Sequence, residues 1–579
     1  MTPPTMKAFG PRTLLVFATL LLAFRWDIGV GSAEPPHAQG IIATVQPLAT
    51  EAGLRAFRQG GNAIDAAVAA AITLGVVDGH NSGLGGGCFV LIRQADGQVV
   101  AIDGRETAPA AATEGMFLVD GVADPQLSRT GPLAVAVPGA LAAYREAVST
   151  SGRLNLNDFL KSAAEIADDG FAIDAGYARK LKATREDILR FPATAKMLIK
   201  AGGGDYATGD VLSLPDLARS YRRIAGEPDW FYEGEFADEV AAWMRRHGGL
   251  ISKEDFAAYR VKRRTPLRTT YRGYEVIGFP PPSSGGVHVA QILNILENFD
   301  LPAMLKNDSA RAHHVIAEAM KLAFADRAHW LGDADFADVP RGLAGKPYAR
   351  TLAAKIDVNQ TTPVQSHGTP NHWRSDLFRK HTTHIAAADA DGNWVAITAT
   401  INTTFGSKVV VPGTGIVLNN EMDDFSAQPG VPNAFGLVGG RANAVQPGKR
   451  PLSSMSPTIV LKDGVPVLTV GAAGGPKIIT QVVLAIVRTL DGGRSIDQAV
   501  SQPRIHHQWI PAKLFVEAKA DQSLVEGLKS FGHRVEYLSA AGVTQAIRRT
   551  PDGRFVGVAD PRAGGTTGTG MGVSDQAQP

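Results

Sequence analysis

His381-Thr382-Thr383-His384-Ile385-Ala386-Ala387-Ala388 follows directly on a polar stretch, residues 356–381, that contains Pro363, Gly368 and Pro370. The polar stretch reads as an exposed linker. The run Thr383–Ala388 reads as a strand, one arm of a hairpin that turns at Asp391-Gly392 and returns through Trp394–Thr400. A Thr-Thr pair in a strand is ordinary, because threonine is favoured on a pleated surface. Its position after a linker gives it a second meaning. A threonine hydroxyl needs an adjacent base to act as a nucleophile, and a chain-terminal threonine carries one in its own α-amine. That amine titrates at roughly 7.7–8.0, close enough to neutrality to accept the proton. Such a nucleophile exists only if the chain is cut before it, and a polar linker running into a strand can be cut without loss of packing.

Outward from this point the pattern repeats. Thr458–Leu461 and Val465–Val470 flank Asp463-Gly464, and Cys88–Arg93 and Val99–Asp103 flank Asp96-Gly97, two further hairpin signals. Helical patterns cover residues 49–77, most of 134–265, 286–299 and 308–331; Lys477–Leu490 and Ser523–Phe531 follow, then a strand at Arg534–Leu538. Helices before the hairpins and again after them predict an α+β fold with helical layers on both faces of antiparallel sheets. No repeat at solenoid spacing is present.

At about 150 residues per domain, the 579 residues allow three or four domains or one large layered one. Lys and Arg number 58 against 56 Asp and Glu, which leaves no basic footprint for a nucleic-acid partner. A hydrophobic content of 44% rules out disorder of the whole chain. The single cysteine, Cys88, excludes an internal disulfide framework and any multi-cysteine metal site. Residues 1–33 read as an export signal: Lys7 and Arg12 precede the apolar run Thr13–Phe24, and Gly31-Ser32-Ala33 closes it with small residues. That run has 12 residues, too short to span a bilayer. The removed piece holds Lys7, Arg12 and Arg25 against Asp27, so the mature chain has 55 residues of each sign. The expected location is periplasmic or secreted, with no membrane attachment after the signal is removed.

Several smaller constellations could carry chemistry. Gly474-Gly475 lies between an apolar strand and a helix, where backbone N–H groups can face an oxyanion or simply form a tight turn. Arg105, in Asp103-Gly104-Arg105-Glu106-Thr107, offers a fork suited to a carboxylate, or is an ordinary arginine. Ser453-Ser454 and the acidic group Glu421, Asp423 and Asp424 are open to the same two readings. The glycines at 85–87 do not make a dinucleotide fingerprint, because the order is helix, loop, strand. Cys88 has no sequence neighbour that would lower its thiol pKa and reads as a buried small residue. His313-His314 and His506-His507 are adjacent pairs whose side chains diverge, so no metal site is assigned.

In combination these stretches resemble a known family. Thr382-Thr383-His384, the run 418–426 (Leu-Asn-Asn-Glu-Met-Asp-Asp-Phe-Ser) and the run 448–458 (Gly-Lys-Arg-Pro-Leu-Ser-Ser-Met-Ser-Pro-Thr) look like signature segments of the γ-glutamyltransferases. The loop 280–286, Asp103–Pro109 and Asp560-Pro561-Arg562 match as well, so the resemblance spans residues 38–565. It implies a four-layer αββα N-terminal-nucleophile hydrolase, made as one precursor and working as two chains. Cleavage between His381 and Thr382 would give a large subunit, 34–381, and a small subunit, 382–579, that stay together as a heterodimer. By the same resemblance Thr382 is the nucleophile and Thr400 supports its hydroxyl. Arg105, Ser453 and Ser454 hold the substrate α-carboxylate, Asn402, Glu421 and Asp424 the α-ammonium, and Gly474 and Gly475 supply the oxyanion N–H groups. The implied substrates are glutathione and other γ-glutamyl compounds, with water, an amino acid or a dipeptide as acceptor, and no metal or organic cofactor.

One departure stands out. Bacterial members cover the bound glutamyl group with a loop that often carries a tyrosine bonded to the site asparagine; here the loop is Pro429–Gly440 and the aligned residue is Phe435. Phenylalanine can exclude water but cannot make that hydrogen bond, which predicts a looser lid. Cephalosporin acylases of the same fold tend to lack the lid and to alter the acidic residue found here as Asp424, so retention of both favours a γ-glutamyl over a glutaryl substrate. A non-catalytic binding protein for γ-glutamyl peptides is the alternative from another class, and intact Thr382 and Thr400 weigh against it.

Overall fold

The computed structural model describes residues 38–370 and 385–571. The expected export signal, 1–33, and the expected cleavage residues, His381 and Thr382, lie outside them. Two antiparallel sheets form the centre. One runs in the order Thr566–Met571, Ala38–Thr44, Ala386–Asp389, Trp394–Thr400, Gly87–Arg93, Val99–Gly104, Lys262–Arg264. The other runs Phe555–Ala559, Val543–Arg549, Val465–Ala473, Thr458–Lys462, Tyr274–Gly278, Leu267–Tyr271.

The alternation of side chains along these strands divides the core into layers. Phe89, Leu91, Ala386, Ala388, Trp394 and Ala396 of the first sheet meet Ile459, Leu461 and Ala472 of the second in a core between the sheets. Their sequence neighbours Val90, Ile92, Ala387, Val395 and Ile397 point the other way, onto the helices Pro47–Arg58, Ala63–Val77, Ala140–Ser151 and Leu156–Asp169. On the far side Val460, Leu468 and Val470 pack on Gly285–Leu296, Ser309–Trp330 and Lys477–Leu490. Strands buried on both faces read as near-continuous apolar runs, and that is how these segments read. The result is the αββα sandwich that the order of helices and hairpins predicts.

The helical stretch at 49–77 is two helices, because Gly60 turns the chain at φ 85° and Asn62 starts a new helix through a capping box with Asp65. All of Ala63–Val77 is buried, which its alanine-rich sequence permits on every side. The described part of the linker, 356–370, is tied down more than its composition suggests. Trp330 Nε1 donates to Gly368 O at 3.0 Å, Trp509 Nε1 to Val364 O at 2.8 Å, and Thr361 N to Phe531 O at 2.7 Å. Those partners lie far along the chain, so local sequence gives no sign of them.

The glycine turn before Gly87–Arg93 is set by close approach to the strand that ends at Thr400. A Cβ on Gly86 would sit 2.0 Å from the Thr400 carbonyl oxygen, and one on Gly87 would sit 2.3 Å from Glu106 Oε2. Gly86→Ala is expected to lower stability by about 1–3 kcal/mol, the cost of overpacking, read from the urea midpoint. An unchanged midpoint would contradict the close packing at this turn.

Candidate active site

At one end of the sandwich, strand ends and loops surround a cavity of about 340 Å³. Its walls include Thr400 and Asn402, Glu421 and Asp424, Phe435, Ser453 and Ser454, and Gly474 and Gly475. These candidates come from five separate stretches of sequence, and the fold brings them together. Thr400 closes its strand, and its Oγ1 accepts a hydrogen bond of 2.7 Å from Asn402 N, which leaves the hydroxyl proton free to be given elsewhere. Asn402 holds φ at 73°, a left-handed conformation that asparagine tolerates, and its amide nitrogen donates to Asn420 O at 3.0 Å. Gly474 and Gly475 both have positive φ, 132° and 62°, where a side chain would strain the turn that leads into Lys477–Leu490.

Arg105 is not part of the cavity wall. Its side chain is fully buried behind the two acidic residues. Nη1 donates to Glu421 and lies 3.4 Å from Glu106, Nη2 donates to Asp424, and Nε donates to Pro451 O at 3.1 Å. The backbone is fixed as firmly: Tyr259 OH and Arg450 Nη1 both donate to Arg105 O, at 2.8 and 2.7 Å. Three carboxylates thus share one guanidinium in a buried site. Burial pushes Glu421 and Asp424 above the usual carboxylate range, with Arg105 only partly offsetting it. Glu106 is pushed up to about 7 by burial, partly offset by Arg105, while Asp424 adds repulsion. Among the described residues Glu421 Oε2 and Glu106 Oε1 have no hydrogen-bond donor.

A model of the γ-glutamyltranspeptidase family matches residues 49–569. The chain belongs to the γ-glutamyltranspeptidase family. It is 46% identical over 528 residues, 91% of its length, to the glutathione hydrolase proenzyme of Escherichia coli (strain K12), covering 90% of that protein. Among solved structures, cephalosporin acylase from Bacillus halodurans superposes with a TM-score of 0.82 at 29% identity, covering 93% of this chain and 97% of that one. Helicobacter pylori γ-glutamyltranspeptidase superposes with a TM-score of 0.56 at 40% identity, covering 58% of this chain and 97% of that one.

In this member of the family the stretch Pro429–Gly440, the expected lid, is held by groups outside it. Gln508 Nε2 donates to Phe435 O and Gly436 O at 3.3 and 3.1 Å, and Ala434 N donates to Asp423 Oδ2 at 3.0 Å. The Phe435 ring packs on Gly475, where an added Cβ would lie 2.7 Å from it. Its contribution is therefore apolar contact with the turn, in place of a hydroxyl bond.

Two features escaped the sequence reading. Arg327, at the C-terminal end of Ser309–Trp330, is buried next to Asp424 and bonds Ser284 and Ser454. His314 meets His533 at 2.8 Å, with Glu318 beside them. Glu318 is already held by Lys321 at 2.6 Å and Thr361 at 2.7 Å, so this group is closed by its own bonds. Neither could be seen without knowing which distant segments pack together. Cys88 is buried, and burial, with Glu106 and Asp103 nearby, pushes its thiol pKa up.

Glu106 offers a test of this electrostatic arrangement. A carboxyl whose pKa rises from 4.5 unfolded to about 7 folded loses stabilisation as pH climbs through that window. Glu106→Gln should therefore gain stability relative to the unaltered protein between pH 5 and pH 8, measured as the difference in Tm at the two values. A difference that falls with pH would contradict the assignment.

Proposed function

We propose that the chain is the precursor of an exported γ-glutamyltransferase that cuts itself between His381 and Thr382, then hydrolyses or transfers the γ-glutamyl group of glutathione and related amides. The observation that carries this reading is the strand register beside the cavity. Ala386, Ala387 and Ala388 pair with Ala396, Val395 and Trp394. The described chain resumes at Ile385, three positions after Thr382 in sequence, and enters a strand paired with the one that ends at Thr400 in the cavity wall.

The chemistry follows from a chain-terminal threonine as nucleophile. The α-amine freed by cleavage takes the proton from the Thr382 hydroxyl as Oγ bonds the γ-carbonyl carbon. The oxyanion is received by N–H groups of the Gly474-Gly475 turn. Collapse breaks the amide bond and the proton passes to the departing amine. Water then adds to the ester to give glutamate, or an amino acid or dipeptide adds to give a new γ-glutamyl compound. No step calls for a metal or organic cofactor.

The cavity also accounts for recognition of a group that carries both charges. Glu421, with its unpartnered Oε2, and Asp424 suit an α-ammonium, together with the Asn402 carbonyl oxygen. Ser453 and Ser454 suit the α-carboxylate. Arg105 supports that end from behind Glu421 and Asp424, and reaches the carboxylate directly only by exchanging an acidic partner for it. The two products, 34–381 and 382–579, would remain joined because strands of one pair with strands of the other in both sheets. Likeness to a cephalosporin acylase favours a second reading, an acylase for a glutaryl side chain. A glutaryl group brings no cation to Glu421, which weighs against it.

The test is release of p-nitroaniline from γ-glutamyl-p-nitroanilide and from glutaryl-p-nitroanilide by the purified mature protein. The γ-glutamyl amide should react roughly a hundredfold faster or more, given the buried groups that glutaryl leaves unpaired, and Thr382→Ala should abolish release. A faster glutaryl reaction would establish the acylase, and full activity in Thr382→Ala would remove the proposed nucleophile.

A further inference from the structure

Arg327 is a charged side chain that the chemistry above does not use, yet it is buried behind Ser454 of the cavity wall and lines a neighbouring cavity with Asp424. It stands at the end of the helix Ser309–Trp330, where a cation faces the helix's negative end. Burial pulls its pKa down to about 10, partly offset by Asp424, so it stays charged near neutrality. Nε donates to Ser284 Oγ at 2.9 Å and Nη2 to Ser454 Oγ at 3.1 Å.

The two serines differ in what they do with their own protons. Ser284 Oγ donates to Ser453 O at 2.8 Å, and Ser284 N donates to the same oxygen at 2.8 Å, so this serine is saturated and ties Arg327 to the backbone of the Ser453-Ser454 pair. Ser454 Oγ accepts from Arg327 and lines the cavity. A hydroxyl oxygen that already accepts from a guanidinium turns its own hydrogen away from that cation. The arrangement makes Ser454 a donor toward the cavity, and a donor strengthened by the charge behind it.

We propose that Arg327 is a positioning residue for the γ-glutamyl substrate: through its hydrogen bond to Ser454 it aims that hydroxyl at the substrate α-carboxylate and sets the enzyme's preference for an anionic group there. The proposal rests on the γ-glutamyl reading and adds to it the device by which an uncharged serine serves an anion. Arg105 is committed to Glu421, Asp424 and Glu106, so the cavity needs a second cation to balance its acidic side, and Arg327 beside Asp424 is placed to supply it.

Three p-nitroanilides separate the possibilities: γ-glutamyl, which has both charged groups; glutaryl, which keeps the carboxylate; and 4-aminobutanoyl, which keeps only the ammonium. Arg327→Gln should raise KM for the first two roughly tenfold or more, the loss of one charge-assisted bond, with kcat changed far less. The 4-aminobutanoyl amide should be unaffected. Ser454→Ala should give the same pattern, and the double variant should add little to either single one. Arg327→Lys, which keeps the charge and loses the fork, should recover part of the effect, and it carries the comparison if Arg327→Gln does not fold. Calorimetric binding of L-glutamate against 4-aminobutanoate to the same variants reads the carboxylate contact without turnover. Equal losses for ligands with and without the carboxylate, or full additivity with Ser454→Ala, would overturn the proposal. If unaltered protein leaves the γ-glutamyl amide intact, the functional reading fails, and the glutaryl and binding arms still decide the role of Arg327.

Discussion

Backbone pairing between early and late segments of the chain is the constraint on which everything else depends. Ala386–Asp389 lies between Ala38–Thr44 and Trp394–Thr400, and Trp394–Thr400 in turn pairs with Gly87–Arg93. In the second sheet Thr458–Lys462 pairs with Tyr274–Gly278. Strands from before residue 371 and after residue 384 therefore pair with one another in both sheets, and each seam is closed by ladder bonds and by apolar side chains on both faces. A break between the two halves leaves these seams intact. A chain with one cysteine has no disulfide available for the purpose, and the sheets make one unnecessary.

The same pairing delivers chemistry to one end of the sandwich. Thr400 is where a central strand stops, Gly86 lets a neighbouring turn touch its carbonyl, and Gly474 and Gly475 end the strand Val465–Ala473 in the facing sheet. Around this rigid rim the charges are local: three carboxylates on Arg105, and Arg327 on the serine side. Burial makes each charge costly unless matched.

Much of this was legible in the sequence because the signals were local. Asp-Gly turns between apolar runs marked the hairpins at 391–392 and 463–464, and the apolar run 477–490 matched its helix at both ends. The site residues were legible as a set through their resemblance to a family, and the cavity gathers all of them that lie among the described residues except Arg105. What escaped was long-range. The burial of Arg105 depends on Glu421 and Asp424, more than 300 positions away in sequence. The hydrogen bonding of Arg327 depends on Ser454, and the anchoring of the loop 429–440 on Gln508. A helix-borne arginine and a loop glutamine have no periodicity or motif to distinguish them, and only the packing of distant segments does so.

The central claim is that position 382 becomes a chain terminus at the cavity. Intact-mass spectrometry of the purified protein, with N-terminal sequencing of each chain, tests it most directly. The account predicts two non-covalently associated chains, the smaller beginning at Thr382, and a single uncleaved chain for Thr382→Ala. One continuous chain in active, unaltered protein, or a smaller chain beginning at another residue, would contradict it.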